Sequence, residues 1–325
     1  MSILDLALQN IVSPMVLFFA LGVAAALIRS DLSVPEAAAK LLALYLMLAI
    51  GFKGGAEVAK SGIDATMALA IGAGILLSFS IPVIGFALLR LTTRLSAVDA
   101  AAVAGHYGSI SIVTFVAATE ALKSLGLAYE GYLIAVAAVM ETPAIIAALL
   151  LARRGAPART GESTSALLRE VGTNGSVVVL VGSFLIGWAT GAEGMAMIAP
   201  FIVDPFRGIL CLFLLDMGLV AGRGLRQGGS ALSPALIGFG IYFPLLSAAL
   251  TGALALGLGL SVGGTALLIT LAASASYIAV PAAMRLALPE ANPAIYLTLS
   301  LGVTFPFNLT LGIPLYAAFA QRIAG

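Results

Sequence analysis

Ser109 and Ser111 lie in Gly105-His106-Tyr107-Gly108-Ser109-Ile110-Ser111, a run of glycine, imidazole and hydroxyl inside an otherwise apolar stretch. Thr270-Leu271-Ala272-Ala273-Ser274-Ala275-Ser276 repeats the pattern, and each serine of the first run stands 165 residues before one of the second. Residues of this kind interrupt a helix. Where a helix stops at membrane depth, its backbone amides must find protein, water or ligand. The half-helix that resumes carries about half a positive charge and free N–H groups at its start, which suits an anion. Hydroxyls of Ser109, Ser111, Ser274 and Ser276 add donors that rotate to fit, and Gly108, Ala273, Tyr277 and His106 complete the candidate anion set. Two such starts facing each other make an anion cradle without a buried lysine. The competing explanation is tight helix crossing through small residues, with each serine bonded one turn back.

Glu141-Thr142-Pro143 sets a carboxylate beside a carbonyl that proline leaves without its donor, oxygens fit for a hard cation such as Na+. A protonated glutamic acid bonded to a neighbouring helix is the alternative. Thr304 and Asn308, around Pro306, could add neutral oxygens to the cation set. His106, the one histidine, could donate to an anion or carry a coupling proton. Asp216 is read as pairing with Arg223 or Lys40, and Lys53, Lys60 and Arg207 as reaching from helix ends towards water. The single Cys211 excludes an intramolecular disulfide, and no zinc cluster, P-loop or nucleophile elbow is present, so no covalent cofactor is expected.

These residues need elements to hold them at depth. The chain is 61% hydrophobic and 10% charged, where a water-soluble domain carries about 25% charged residues; it belongs in a bilayer. The 16 basic and 15 acidic residues give no electrostatic case for nucleic acid. The first apolar run lacks a basic leader and follows Asp5, so no cleavable signal is read there. Ten apolar runs match the ~20 residues that span hydrocarbon: 11–29, 35–52, 66–90, 97–122, 129–152, 173–190, 203–222, 232–258, 263–285 and 293–320. Placing the N-terminus outside leaves ten basic residues on inner segments (Arg29, Arg90, Arg94, Arg153, Arg154, Arg159, Arg169, Arg223, Arg226 and Arg285) and four on outer ones (Lys53, Lys60, Lys123 and Arg322). That count puts both termini outside.

Residues 153–172 shift to Arg, Gly, Ser, Thr and Pro and read as a cytoplasmic linker, with a short surface helix over Ser163 to Val171. It separates two halves, 1–152 and 173–325. Ile71-Gly72-Ala73-Gly74-Ile75 recurs as Ile237-Gly238-Phe239-Gly240-Ile241 after 166 residues. Leu21-Gly22 recurs as Ile186-Gly187 after 165, Gly51 as Gly218 after 167 and Pro143 as Pro306 after 163. Five spans per half is odd, so the second copy enters the membrane inverted. The predicted fold is an all-α membrane protein of ten transmembrane helices in two inverted five-helix repeats, with spans four and nine broken.

Ala272-Ala273-Ser274-Ala275-Ser276-Tyr277-Ile278, continuing through Pro281, Arg285, Pro289 and Ala291-Asn292-Pro293, resembles the sodium-dependent bicarbonate transporter family. Gly105-His106-Tyr107-Gly108 with Ser111, Asp204-Pro205-Phe206-Arg207-Gly208 and Glu141-Thr142-Pro143-Ala144 extend the resemblance over essentially all ten spans. It implies a trimeric bacterial inner-membrane symporter that takes up bicarbonate with Na+ and docks a PII-like regulatory protein. Three positions depart from the family pattern. Tyr277 stands where the family has an acid, His106 where an apolar residue is expected, and the linker is much shorter than in cyanobacterial members. The expected function is Na+-coupled bicarbonate uptake. A proton-coupled carrier of another small anion, using His106 and Glu141, and an anion channel remain the alternatives.

Overall fold

The structure is a computed structural model that describes residues 11–62, 64–153, 175–277, 280–281, 284 and 288–325, and no strand occurs among them. In chain order the helices are α1 (Pro14–Leu27), α2 (Glu36–Ser61), α3 (Ala65–Thr92), α4 (Ala97–Gly108), α5 (Ile112–Ser124), α6 (Leu133–Val139), α7 (Glu141–Arg153), α8 (Gly175–Ile202), α9 (Phe206–Gly228), α10 (Pro234–Ala255), α11 (Val262–Ala272) and α12 (Pro293–Ala324). Side-chain caps set several starts. Ser13 accepts from Val16 N, Asp64 from Met67 N and Ser233 from Leu236 N, each meeting an amide that the first turn leaves free.

Counting α4 with α5 and α6 with α7, eight stretches among the described residues are long and apolar enough to cross a membrane. The first and ninth expected spans appear as the shorter apolar helices α1 and α11. The helix expected over Ser163 to Val171 lies outside the described residues.

The helices form two bodies. α1 packs along α9 and α2 along α8, with α9 also touching α2; α3 to α7 pack with α10, α11 and α12; and the two meet where α9 touches α12 and where α6 touches α2 and α8. Glycine makes the first body possible. A Cβ at Gly22 would lie 2.1 Å from Leu215 O, and one at Gly218 would lie 2.1 Å from Phe19 O. At the other crossing, a Cβ at Gly55 would lie 1.9 Å from Phe184 O and one at Gly187 2.2 Å from Phe52 O. The backbones touch there, which is how membrane helices gain close packing without a hydrophobic driving force. Gly218→Val is therefore expected to push α9 off α1 and destabilise the protein by roughly 3 kcal/mol or more. Gly208, on the same helix with nothing within 4 Å of its would-be Cβ, is the control: Gly208→Ala should be neutral or slightly stabilising. Thermal unfolding in detergent distinguishes the two.

Three spans are less regular than their hydropathy predicts. α8 continues past the expected end at 190 by turning at Gly191, whose φ of 56° only glycine adopts without strain. The fifth span is divided at Met140 into α6 and α7. α12 contains two π-helical turns, Ser300–Thr304 and Asn308–Gly312, just ahead of Pro306 and Pro314. Each proline lacks the N–H that an α-helix needs, and the ladder widens so that Phe305 N donates to Ser300 O and Ile313 N to Asn308 O.

Candidate functional site

Both interruptions are present. α4 ends at Gly108 because its last turn is pressed on α3: a Cβ at Gly108 would lie 2.1 Å from Pro82 Cγ and 2.8 Å from Ser78 O. Ser109 then takes extended backbone (φ −85°, ψ 166°). Ser111 restarts the helix as the cap of α5, its Oγ accepting from Thr114 N at 3.1 Å and from Thr114 Oγ1 at 2.9 Å. α11 ends at Ala272, and Ser274 to Ser276 are non-helical.

The breaks meet. Ser276 N donates to His106 O at 2.7 Å, and Ser111 N donates to Ser274 Oγ at 2.8 Å, while that hydroxyl donates to Leu271 O. Asn308 ties α12 to the second break by donating Nδ2 to Ala273 O at 2.8 Å, and Tyr316 Oη donates to its Oδ1 at 2.7 Å. Thr304 Oγ1 donates to Gly240 O at 2.8 Å and so accepts from Tyr107 Oη at 2.5 Å. Ser109, Ser111, Ser274 and Ser276 are 1%, 3%, 0% and 2% exposed.

Not every polar atom at this crossing is used. Ser109 Oγ, His106 Nε2 and Tyr277 Oη are buried without a hydrogen-bond partner. Tyr277 places its hydroxyl beside Ser111 without sound bonding geometry, and its ring meets Phe305 edge-on at 5.3 Å. Buried polar groups are almost always paired, so orphaned ones at one place call for an explanation. The amides that open α5 add donors that no turn of helix can use.

His106 is placed differently from its sequence expectation. Its ring stacks on Tyr296 at 4.5 Å, and Nδ1 lies 2.7 Å from Ala102 O. A carbonyl can only accept, so Nδ1 carries a proton, and a ring with no second proton would offer Nε2 as a lone pair. An anion would find a donor there only after a second proton arrives.

The expected cation set is divided. Glu141 opens α7, 8% exposed with Oε2 unpartnered. Ser78 of α3 braces the turn before it: its Oγ donates to Met140 O and accepts from Ala144 N at 3.1 Å. Thr142 follows Glu141 on α7, whereas Thr304 and Asn308 are bonded to α10 and to the second break. No described hydrogen bond joins the two pairs. Among the described residues no three His, Cys, Asp or Glu side chains gather as for a metal.

Asp216 also differs. Lys40 pairs instead with Glu36 at 2.7 Å, while Arg223, whose Nη2 donates to Leu32 O at 3.1 Å, stays within electrostatic reach of Asp216 without closing to an ion pair. Lys53 and Arg207 are not merely directed to water: Lys53 Nζ lies 4.1 Å over the Phe206 ring and Arg207 binds Glu120. Glu120 was not singled out in the sequence, where its spacing from Lys123 resembles an ordinary surface pair. A cavity of about 440 Å³ opens between α9 and α12, lined by Met217, Arg223, Gln227, Leu297, Thr298 and, from the second break, Tyr277.

The model of the Na+-dependent bicarbonate transporter superfamily matches residues 14–321. No curated protein matches the chain. The match runs through every helix described above, and the chain belongs to that superfamily, as a multi-pass membrane protein of a transporter family.

Proposed function

We propose that this member of the Na+-dependent bicarbonate transporter superfamily is a secondary active transporter that couples Na+ to the uptake of bicarbonate across a bacterial inner membrane. The single observation that carries the reading is the orphaned Ser109 hydroxyl at the meeting point of two broken helices. It lies beside the start of α5, where free amides and the positive helix end favour a negative ion. The anion contacts Ser109, Ser111, Ser274, Ser276 and Tyr277 with the adjoining backbone at Gly108 and Ala273, and reaches one side of the membrane through the cavity beside Tyr277. Na+ is held at Glu141 and neighbouring oxygens, with Thr142, Thr304 and Asn308 as further candidates. Linkage is reciprocal, so each ion tightens the binding of the other.

The architecture is two inverted five-helix repeats, 1–152 and 173–325, joined by a cytoplasmic linker, with both termini outside. The glycine crossings support it: exchanging Gly22 for Gly187 and Gly218 for Gly51 converts the α1–α9 contact into the α8–α2 contact. The body of α1, α2, α8 and α9 serves as scaffold, and the body with the breaks moves against it. A homotrimer is the assembly, and a PII-like regulator would dock at the linker face.

A second reading, proton coupling, rests on the buried His106 Nε2 lone pair. Labelled-bicarbonate uptake into proteoliposomes, with Na+ and pH gradients imposed separately, decides between them. Uptake driven by Na+ alone and accumulating against a gradient is expected. Uptake that follows the pH gradient and ignores Na+ selects the second reading, and flux without accumulation selects a channel.

A further inference from the structure

Arg207 and Arg223 are sixteen residues apart on α9, about 24 Å along the helix axis, so they mark opposite faces. Arg223 lines the open cavity. The Arg207 face is closed by a charge cluster. Glu120 of α5 has a side chain only 3% exposed, and both of its oxygens are taken: Oε1 by Lys123 Nζ at 2.7 Å and Oε2 by Arg207 Nε at 2.5 Å. Lys123 belongs to α5, but Arg207 comes from α9, so this pair ties the moving body to the scaffold. Lys53 of α2 sits over Phe206 and within electrostatic reach of both Lys123 and Glu120. Glu57, the nearest other acid on α2, is paired with Lys60. Two cations pair with this carboxylate and a third lies within electrostatic reach of it.

That count is poor for a static brace and apt for a receptor. We propose that Arg207, helped by Lys53, is the outer receptor for the transported anion, and that the Glu120 carboxylate occupies this receptor whenever the outer face is closed. A guanidinium holds planar oxyanions through paired N–H donors and does not distinguish a side-chain carboxylate from bicarbonate. When α5 moves away from α9, Arg207 and Lys53 lose their shared carboxylate and face water, and Arg207 is already 68% exposed. A bicarbonate ion takes the vacant place. Glu120 returns when the anion has moved inward, because its buried carboxylate finds its partners only in Lys123 and Arg207 together. Glu120 is eight residues from Ile112, about 12 Å along α5, so a single rigid half-helix links this receptor to the break. The identity of the anion rests on the function proposed above; the exchange of partners at Arg207 does not.

Two measurements test it. In a Cys211→Ala background, a cysteine replacing buried Thr119, beside Glu120, reports opening of this face to a membrane-impermeant thiol reagent. Glu120→Gln removes the ion pair between α5 and α9 and leaves Lys123 and Arg207, two solvent-accessible cations, repelling each other; it should speed that labelling roughly tenfold or more. Side-resolved kinetics on oriented vesicles form the second arm. Arg207→Gln should raise the outer KM for bicarbonate roughly tenfold and leave the inner KM unchanged. Arg207→Lys, which keeps the charge but not the paired donors, should fall between. Labelling of Glu120→Gln at the wild-type rate overturns the proposal, as does an Arg207→Gln effect equal on both sides. A wild type that moves no bicarbonate defeats the substrate reading, while the labelling arm, which needs no substrate, still decides whether Glu120 closes this face.

Discussion

Ser109→Ala is expected to reduce bicarbonate uptake at limiting substrate by about ten- to a hundredfold while leaving the thermal midpoint of the unliganded protein unchanged or slightly raised. The two halves of that statement come from one atom. Ser109 Oγ is buried with no partner, so deleting it breaks no bond in the empty protein and removes a desolvated polar group that is unfavourable by ~1–3 kcal/mol. A hydrogen bond to a charged ligand contributes ~1.5–3 kcal/mol, and each 1.4 kcal/mol is about tenfold in affinity. Ser274→Ala makes the contrast. Its hydroxyl accepts from Ser111 N and donates to Leu271 O, so its loss lowers stability and transport together. Unfolding midpoints measured beside uptake rates separate the two patterns. Uptake by Ser109→Ala within twofold of wild type would move the anion elsewhere.

Glu141→Gln should abolish the response to Na+. The wild-type midpoint should rise with NaCl and not with an equal concentration of choline chloride, because an ion that binds only the folded state adds about 2.7 kcal/mol at a hundred times its Kd. In the variant the midpoint should be flat in both salts. Without Na+ the variant should be at least as stable as wild type, since Glu141 Oε2 is buried and unpartnered and a buried carboxylate without a partner is unfavourable. A Na+-dependent midpoint that survives in Glu141→Gln would remove this carboxylate from the coupling site.

The breaks were legible in the sequence for a physical reason. Serine and glycine at hydrocarbon depth are poor helix interiors, and two such runs at one spacing are unlike chance. Pro82 beside Gly108 needed the third dimension, since residues on different helices carry no mark of their contact. Thr304 and Asn308 were grouped with Glu141 because Pro143 and Pro306 match in spacing, but in the fold they bond to Gly240 and Ala273. Glu120 escaped notice because Lys123 alone explains it as an ordinary helix pair; only the approach of α9 adds Arg207. The π turns of α12 were foreshadowed by Pro306 and Pro314, yet a proline announces a lost donor and not the form of the repair.

The bonds between the breaks also bear on how the chain is made. Ser111 N has its partner on Ser274, and His106 O has its partner on Ser276, both synthesised more than 160 residues later. The first break therefore cannot make these two bonds until the second break has been synthesised. Formation of the segment from Ser274 to Ser276 is thus the step that completes the earlier one.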